Sequence, residues 1–166
     1  PTTIRCAMRT SWRACASGSE HFRFWAKGIA MHADDCPLCR DAAAPVLWRD
    51  DSCRVVSAAD ADYPAFLRVI WQAHVREMTD LDPASQQHLL RVVLAVERVL
   101  RAELAPDKIN LATLGNQVPH LHWHVIPRFA DDAHFPDPVW AARRRAGVAH
   151  GVDEQRLVEG LRAELD

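Results

Sequence analysis

The chain has 166 residues, of which 49% are hydrophobic and 25% charged, and its net charge is −2 at pH 7. This composition is typical of one soluble globular domain, and a chain of this length buries roughly 70% of the surface that its unfolded form would expose. No stretch approaches the roughly 20 apolar residues of a membrane-spanning helix, so no membrane partner is expected. The acidic balance argues against a nucleic acid polymer as partner, because binding several phosphates requires a basic face.

The first 30 residues differ in charge from the remainder. Five basic side chains and one acidic side chain give this segment a charge of +4, whereas residues 31–166 sum to −6. No apolar run of signal-peptide length follows the basic start, so a secretory signal is not expected. We therefore expect residues 1–30 to be an extension, either disordered or not native to the protein, and residues 31–166 to form the domain.

Short apolar runs predict five β-strands. The acidic turn Asp50-Asp51 separates the first two runs and predicts a hairpin, and the third run is rich in β-branched and aromatic side chains. Gly115-Asn116-Gln117 favours a turn between the last two runs, which we expect to pair. The five candidate strands are residues 46–48, 54–56, 67–71, 109–114 and 122–126.

Two helices are predicted on the same chain. Asp82-Pro83 supplies a capping carboxylate and a proline at the first helical position, and a long helix should run from there to about Ala105-Pro106. Its apolar residues recur with helical spacing at positions 89, 93, 96 and 100. A shorter helix is expected from Asp153, with leucines at 157, 161 and 165 on one stripe.

Histidine alternates strictly with an apolar residue in His120-Leu121-His122-Trp123-His124. On a strand, alternate side chains share a face, so all three imidazoles should line one surface while the apolar residues enter the core. Three imidazoles on one face bind a divalent metal, or they place one nucleophilic nitrogen between two proton-handling neighbours. Histidines at plain solvent positions are the competing interpretation, which the strict alternation disfavours.

The five cysteines form an odd and uneven set, which suits a reducing compartment and predicts a cytoplasmic protein. Two of them form the pair Cys36-Pro37-Leu38-Cys39, whose spacing lets both thiolates reach one metal ion. A redox pair would be expected within a thioredoxin-like strand and helix pattern, which the following sequence does not offer. Zinc fits better, and it needs two further cysteine or histidine ligands.

The segment His120–Pro127 resembles the histidine triad (HIT) nucleotide hydrolases and transferases, whose pattern His-φ-His-φ-His-φ-φ constrains seven consecutive positions. The likeness extends to residues 109–111, 115–117 and 127–128, loosely spans Cys36 to Trp140, and is greatest to small bacterial HIT-domain proteins. It implies an α+β fold, with an antiparallel sheet of about five strands, one long helix and one shorter helix. It also implies a homodimer and no catalytic cofactor.

The resemblance assigns roles to particular residues. His122, the middle histidine, would be the nucleophile that attacks the α-phosphorus of a nucleotide and forms a nucleotidyl-histidine intermediate. His124 would contact the phosphate and the leaving group as a protonated imidazole, and Gln117 would bond the bridging or phosphate oxygen. Asn110 would hold the phosphate or sugar side of the nucleotide. The candidate substrates are dinucleoside polyphosphates and nucleoside phosphoramidates.

Some relatives that share this fold, including galactose-1-phosphate uridylyltransferases, bind zinc through a cysteine pair, a histidine after the third strand and the first triad histidine. The corresponding residues are Cys36, Cys39, His74 and His120, so the resemblance implies a structural zinc site there. The chain also departs from the better-known branches of the family, which often place a further histidine where Phe66 stands.

Two alternatives remain open at this stage. In one, His120, His122 and His124 jointly ligate the catalytic ion of a metallohydrolase. In the other, the chain is a nucleotide-binding or partner-binding module with little turnover.

Overall fold

The computed structural model describes residues 31–40 and 45–166. Every predicted strand and both predicted helices are present. The predicted extension, residues 1–30, lies outside the described residues and stays a prediction. The elements are β1 (Val46–Arg49), β2 (Cys53–Ser57), β3 (Leu67–Trp71), α1 (Pro83–Leu104), β4 (Lys108–Ala112), β5 (His122–Arg128) and α2 (Glu154–Leu165).

The five strands form one antiparallel sheet in the order β1-β2-β3-β5-β4. The predicted hairpin between β1 and β2 is confirmed, and its turn is held by Asp50, whose Oδ1 accepts the backbone N–H groups of Ser52 and Cys53 at 2.8 and 2.6 Å. The predicted pairing of β4 with β5 is also confirmed. β4 ends at Ala112, two residues before its predicted end, so residues 113–121 form the connection to β5.

Helix α1 covers one face of the sheet. Asp82 caps it by accepting the N–H groups of Ala84 and Ser85, as the sequence predicts. Its four apolar positions are all buried, and they pack with inward-facing strand residues such as Val69 and Val125 in one core. Helix α2 packs on α1 and β1. Neither helix of the described chain is long and apolar enough to cross a membrane.

The opposite face of the sheet is polar. Side chains alternate along a strand, so the residues between the core positions of β3 and β5 point away from α1. Arg68 on β3 pairs with His124 on β5, and Arg128 lies further along β5 on the same face. A small apolar cluster of Tyr63, Phe66 and Ile126 separates the two ends of this face. The candidate site therefore lies on the face that α1 leaves uncovered.

Candidate active site and metal site

Four predicted metal ligands converge where the segment before β1 meets the start of β5. The Sγ of Cys39 lies 3.2 Å from Nδ1 of His74 and 3.3 Å from Nδ1 of His120. The Sγ of Cys36 lies 3.4 Å from the same His120 nitrogen, and the two Nδ1 atoms are 3.3 Å apart. All four ligand atoms lie within 4.8 Å of one another. The structure thus brings together residues that are up to 84 positions apart in sequence.

These distances fit a tetrahedral metal site. With Zn–S bonds of about 2.3 Å and Zn–N bonds of about 2.0–2.1 Å, tetrahedral ligands lie about 3.3 Å (N to N) to about 3.6 Å (S to N) apart. The far side of each ring faces a backbone carbonyl: His120 Nε2 donates to Trp71 at 2.6 Å and His74 Nε2 donates to Met31 at 3.1 Å. These bonds fix the proton on Nε2, so each Nδ1 presents its lone pair to the cluster.

Burial shifts two groups of the cluster, Cys39 and His120, toward their neutral forms. Burial raises the pKa of Cys39 to about 11, assisted by the hydrogen bond and the charge of Cys36. Burial lowers the pKa of His120, which keeps its imidazole neutral at pH 7 and able to coordinate. A metal ion would displace the thiol protons, because the thiolate is the ligand form of cysteine. The donor set and the geometry therefore match a structural Cys2His2 ion.

His120 differs from the other two triad histidines in the contacts of its ring. The strand β5 begins at His122, and the Trp71 N–H, which donates to the Leu121 carbonyl at 3.1 Å, continues the pairing with β3 by one residue. The ring of His120 lies in the metal cluster. Among the described residues, no group of metal-ligating side chains includes His122 or His124. The structure therefore gives no support to a catalytic ion held jointly by the three histidines.

His122 and His124 share the open face of β5, with ring centroids 4.8 Å apart and nearly perpendicular planes. His122 Nδ1 lies 2.5 Å from the backbone oxygen of His120. A carbonyl oxygen only accepts, so Nδ1 carries the proton and Nε2 keeps a free lone pair. Burial lowers the pKa of His122, and the charge of Arg68 lowers it further against the opposing effect of the His120 bond. The ring is therefore neutral at pH 7.

His124 is also buried, and its Nδ1 has no hydrogen-bond partner. Burial lowers its pKa to about 4, with further contributions from His122 and Arg68. His124 is thus neutral at pH 7 in the free protein. The protonated imidazole that the sequence analysis expects there requires an anion close by, such as a substrate phosphate, to raise this pKa.

A cleft of about 360 Å³ opens over these two histidines. Gln117 lines it from the connection between β4 and β5, as expected for a residue that acts with His122 and His124. Leu38, within the Cys36–Cys39 segment, lines the other side, so the metal cluster borders the cleft. Gly115 in the same connection has φ +65°, a left-handed conformation that favours glycine.

Asn110 lies apart from the other predicted site residues. It does not line the cleft. Its Oδ1 accepts a hydrogen bond from Arg128 at 2.6 Å, and the buried guanidinium of Arg128 also pairs with the buried carboxylate of Asp132 at 2.7 Å. Substrate binding by Asn110 stays a prediction, and the structure shows a side chain engaged in a structural network.

Arg68 and Trp140 are the largest side chains among the cleft residues that the sequence does not predict. Arg68 lines the cleft from the middle of β3, and a charged residue inside an otherwise apolar strand was the signal that could have identified it. Trp140 follows the polar segment after β5, and its ring lies 5.2 Å from that of His124. Sequence spacing gives no means of placing a loop tryptophan over a strand histidine.

Comparison with known proteins identifies the family. The HIT domain model matches residues 40–131, more than half of the chain. The histidine triad protein of Bradyrhizobium japonicum is 33% identical, and the match covers 74% of this chain and 91% of that protein with a TM-score of 0.61. A histidine triad protein of Marinobacter aquaeolei VT8 is 29% identical, covering 74% and 92% with a TM-score of 0.61. No curated protein sequence matches the chain.

A third solved structure, a zinc-bound histidine triad family protein of Mycobacterium smegmatis, is 24% identical and shares the fold. Its match covers 81% of this chain and 95% of that protein, with a TM-score of 0.55. The chain belongs to the HIT family of nucleotide-binding proteins and nucleotide hydrolases. Both the family resemblance and the α+β fold predicted from the sequence are confirmed.

Proposed function

We propose that this chain is a nucleotide hydrolase or nucleotidyl transferase that acts at the α-phosphate of dinucleoside polyphosphates or nucleoside phosphoramidates. The observation that carries the proposal is the contact between His122 Nδ1 and the His120 carbonyl. It reserves Nε2 of a neutral imidazole for attack, and His122 lines a cleft large enough for a small ligand.

The proposed reaction is a double displacement. The Nε2 lone pair of His122 attacks the α-phosphorus, and the bond from phosphorus to the leaving oxygen or nitrogen breaks. The leaving group departs with the electron pair and takes a proton from His124, whose pKa the bound phosphate raises. Water or another acceptor then attacks the phosphorus and gives its proton to His124, which is neutral after the first step. The bond from phosphorus to Nε2 breaks, and its electron pair returns to His122. Gln117, which lines the same cleft, binds a phosphate oxygen.

We further propose that Cys36, Cys39, His74 and His120 hold a structural Zn²⁺. Four protein ligands complete the coordination of the ion and leave no position for water or substrate, so its role is structural. The proposed reaction therefore uses no catalytic cofactor. The ion would fix the His120 residue whose carbonyl orients His122, and thereby link the segment before β1 to the nucleophile. Its thiolates must remain reduced, which supports a cytoplasmic location.

The zinc proposal is tested by counting zinc per purified chain. We expect about one ion per parent chain and less than about a tenth of that in Cys36→Ser, because three ligands with one hydroxyl bind zinc far more weakly. His150→Gln is the control, since His150 pairs with Asp131 and belongs to no group of possible metal ligands among the described residues. Equal zinc content in the parent and Cys36→Ser would refute the site.

The nucleophile is tested by trapping. The protein is mixed with α-³²P-labelled diadenosine tetraphosphate or adenosine phosphoramidate, quenched rapidly at alkaline pH, and digested for peptide mapping. We expect the label on the peptide that contains His122, and the same label in the control His88→Gln, whose side chain bonds Asp50 away from the cleft. Nucleotide binding without any label would instead indicate a binding module with little turnover.

We also propose a homodimer of two copies of this chain. Leu90 and Leu94, one turn apart on α1, are 41% and 47% exposed, and β4 is an edge strand of the sheet. Edge strands pair readily with a second copy, and exposed leucine pairs favour burial. Sedimentation equilibrium should give twice the chain mass, and Leu90→Glu with Leu94→Glu should give a monomer. A parent that sediments as a monomer at micromolar concentration would contradict the proposal.

A further inference from the structure

Arg68 is a half-buried cation in the wall of the cleft. It stands in β3 between Leu67 and Val69, which are buried in the core, so its own side chain points to the open face. Its Nε is buried and has no hydrogen-bond partner. Among the residues that the structure describes, no carboxylate forms an ion pair with its guanidinium.

Nothing that lines the cleft neutralises this charge. The described lining residues include neither aspartate nor glutamate. Asp60 acts on Arg68 through its charge without forming an ion pair with it, and its Oδ1 accepts the N–H groups of Asp62 and Tyr63. A desolvated cation without a partner is costly, so the arrangement favours an anionic ligand at this position.

Arg128 shows how the same fold treats a cation that serves structure alone. Its guanidinium is fully buried and donates to both carboxylate oxygens of Asp132, to Asn110 and to the Asp137 carbonyl. The two arginines lie on the same face of the sheet, but Arg128 forms an ion pair with Asp132, whereas Arg68 lines the cleft and forms no ion pair with a described residue. The difference indicates that the missing partner of Arg68 is a ligand.

The position of Arg68 assigns it to one side of the cleft. It lies directly across the strand pair from His124, whereas Ile70 faces His122. Its guanidinium carbon lies 5.6 Å from the ring centroid of Phe66, and that ring makes an edge contact with His124 at 5.4 Å. Phe66 thus supports both side chains, with a cation–π contact to Arg68. In the proposed reaction, His124 is the residue beside the leaving group.

We propose that Arg68 binds an anionic leaving group and thereby selects dinucleoside polyphosphates over nucleoside phosphoramidates. This inference rests on the function proposed above. When the bond from the α-phosphorus to the bridging oxygen breaks, the electron pair stays on the departing polyphosphate, and Arg68 bonds its oxygens as this charge develops. The amine released from a simple phosphoramidate carries no negative charge, so it gains nothing from Arg68.

The test compares two substrates in three proteins. We measure kcat/KM for diadenosine tetraphosphate and for adenosine phosphoramidate in the parent, Arg68→Lys and Arg68→Met. Arg68→Met should lose about 10- to 100-fold on the tetraphosphate and less than about threefold on the phosphoramidate, since hydrogen bonds to charged groups have effects of this size. Arg68→Lys should lose less, because it keeps the charge without the planar fork.

Arg101→Met is the charge-matched control, because Arg101 lies on the exposed side of α1 outside the cleft. It should leave both kcat/KM values within about twofold of the parent. Equal losses on both substrates in Arg68→Met, or no loss on either, would overturn the selectivity that we assign to Arg68.

A binding measurement separates this inference from the proposed function. In His122→Asn, calorimetry compares the affinity for diadenosine tetraphosphate and for AMP, with Arg68 intact and with Arg68→Met. We expect Arg68→Met to weaken the tetraphosphate by 10-fold or more and AMP by less than about threefold. If the parent never labels His122, the proposed function fails while this difference still supports Arg68. If His122 is labelled but Arg68→Met weakens both ligands alike, only the inference fails.

Discussion

The open face of the sheet carries buried polar groups at both ends of β5. The groups at the end of β5 all have hydrogen-bond partners, whereas two groups near its beginning have none; we call these the satisfied and the unsatisfied end. Where β5 ends, Asp132 accepts from Arg128, from the Tyr63 hydroxyl at 3.0 Å, and from the backbone N–H groups of His134 and Phe135. Where β5 begins, His124 Nδ1 and Arg68 Nε are buried with no partner. A satisfied network holds structure, whereas buried unpaired groups beside a cleft indicate where a ligand binds.

The satisfied end also supports the unsatisfied one. The segment after β5 is fastened to it by hydrogen bonds from Arg145 to the carbonyls of Ala130, Asp132 and Phe135. Trp140 belongs to this segment, and its ring contacts His124. The structural network therefore positions a wall of the cleft. Substitutions at either end of the face can test the comparison.

The largest expected effect is at the unsatisfied end. His122→Asn removes the nucleophile and should lower kcat/KM for diadenosine tetraphosphate by about 10⁴-fold or more. The melting temperature should stay within a few degrees, because asparagine still donates to the His120 carbonyl. His150→Asn, a histidine outside the cleft, is the control and should retain activity. A His122→Asn protein that turns over at the parent rate would exclude covalent catalysis.

The next effect is at the satisfied end. Asp132→Asn leaves the buried Arg128 charge without its partner and should lower the free energy of unfolding by about 3–5 kcal/mol. Urea denaturation measures this, with Asp131→Asn as the control because Asp131 is exposed and pairs only with His150. At a temperature where the variant is folded, His122 should still accept the label. Equal stability of the two variants would mean that the network contributes little.

The two ends should lower the free energy of unfolding in different pH ranges as the solution is acidified. Burial alone would raise the pKa of Asp132, but hydrogen bonds from Arg128, His134, Phe135 and Tyr63 outweigh it and hold this pKa well below the ordinary range. Its contribution is therefore complete above the unfolded pKa of about 3.9 and is lost as pH falls further. His124, with a folded pKa of about 4, loses its contribution between about pH 6.5 and 4.

The measurement is the free energy of unfolding against pH in three proteins. Compared with the parent, His124→Gln should show a smaller decrease between pH 6.5 and 4, and Asp132→Asn a smaller decrease below pH 4. If both variants follow the parent curve in parallel, neither group titrates as the structure implies.

Much of the fold and of the candidate site can be predicted from the sequence, and the remainder depends on tertiary contacts. Apolar spacing predicts α1, and alternation places His122 and His124 on one face, because both depend only on local periodicity. The family resemblance selects the four residues of the proposed metal site, and the structure brings their ligand atoms within 4.8 Å of one another. The contacts of His120 depend on tertiary structure, because its Nε2 donates to the Trp71 carbonyl and its Nδ1 faces Cys36 and Cys39. The charge of Arg68 inside an apolar strand is visible in the sequence, but its lack of an ion-pair partner is visible only once the neighbouring side chains are placed.

The smallest effect is expected at Trp140, which belongs to the segment after β5 and contacts His124 at the unsatisfied end. Trp140 is 51% exposed, so Trp140→Leu should change the melting temperature by less than about two degrees. The same change removes the ring that contacts His124 and one wall of the cleft. We expect kcat/KM for diadenosine tetraphosphate to fall about three- to tenfold through KM, with Trp140→Phe intermediate, because an aromatic contact contributes about 0.5–1.5 kcal/mol. If Trp140→Leu instead lowers stability as Asp132→Asn does, the tryptophan belongs to the structural network and the cleft ends at His124.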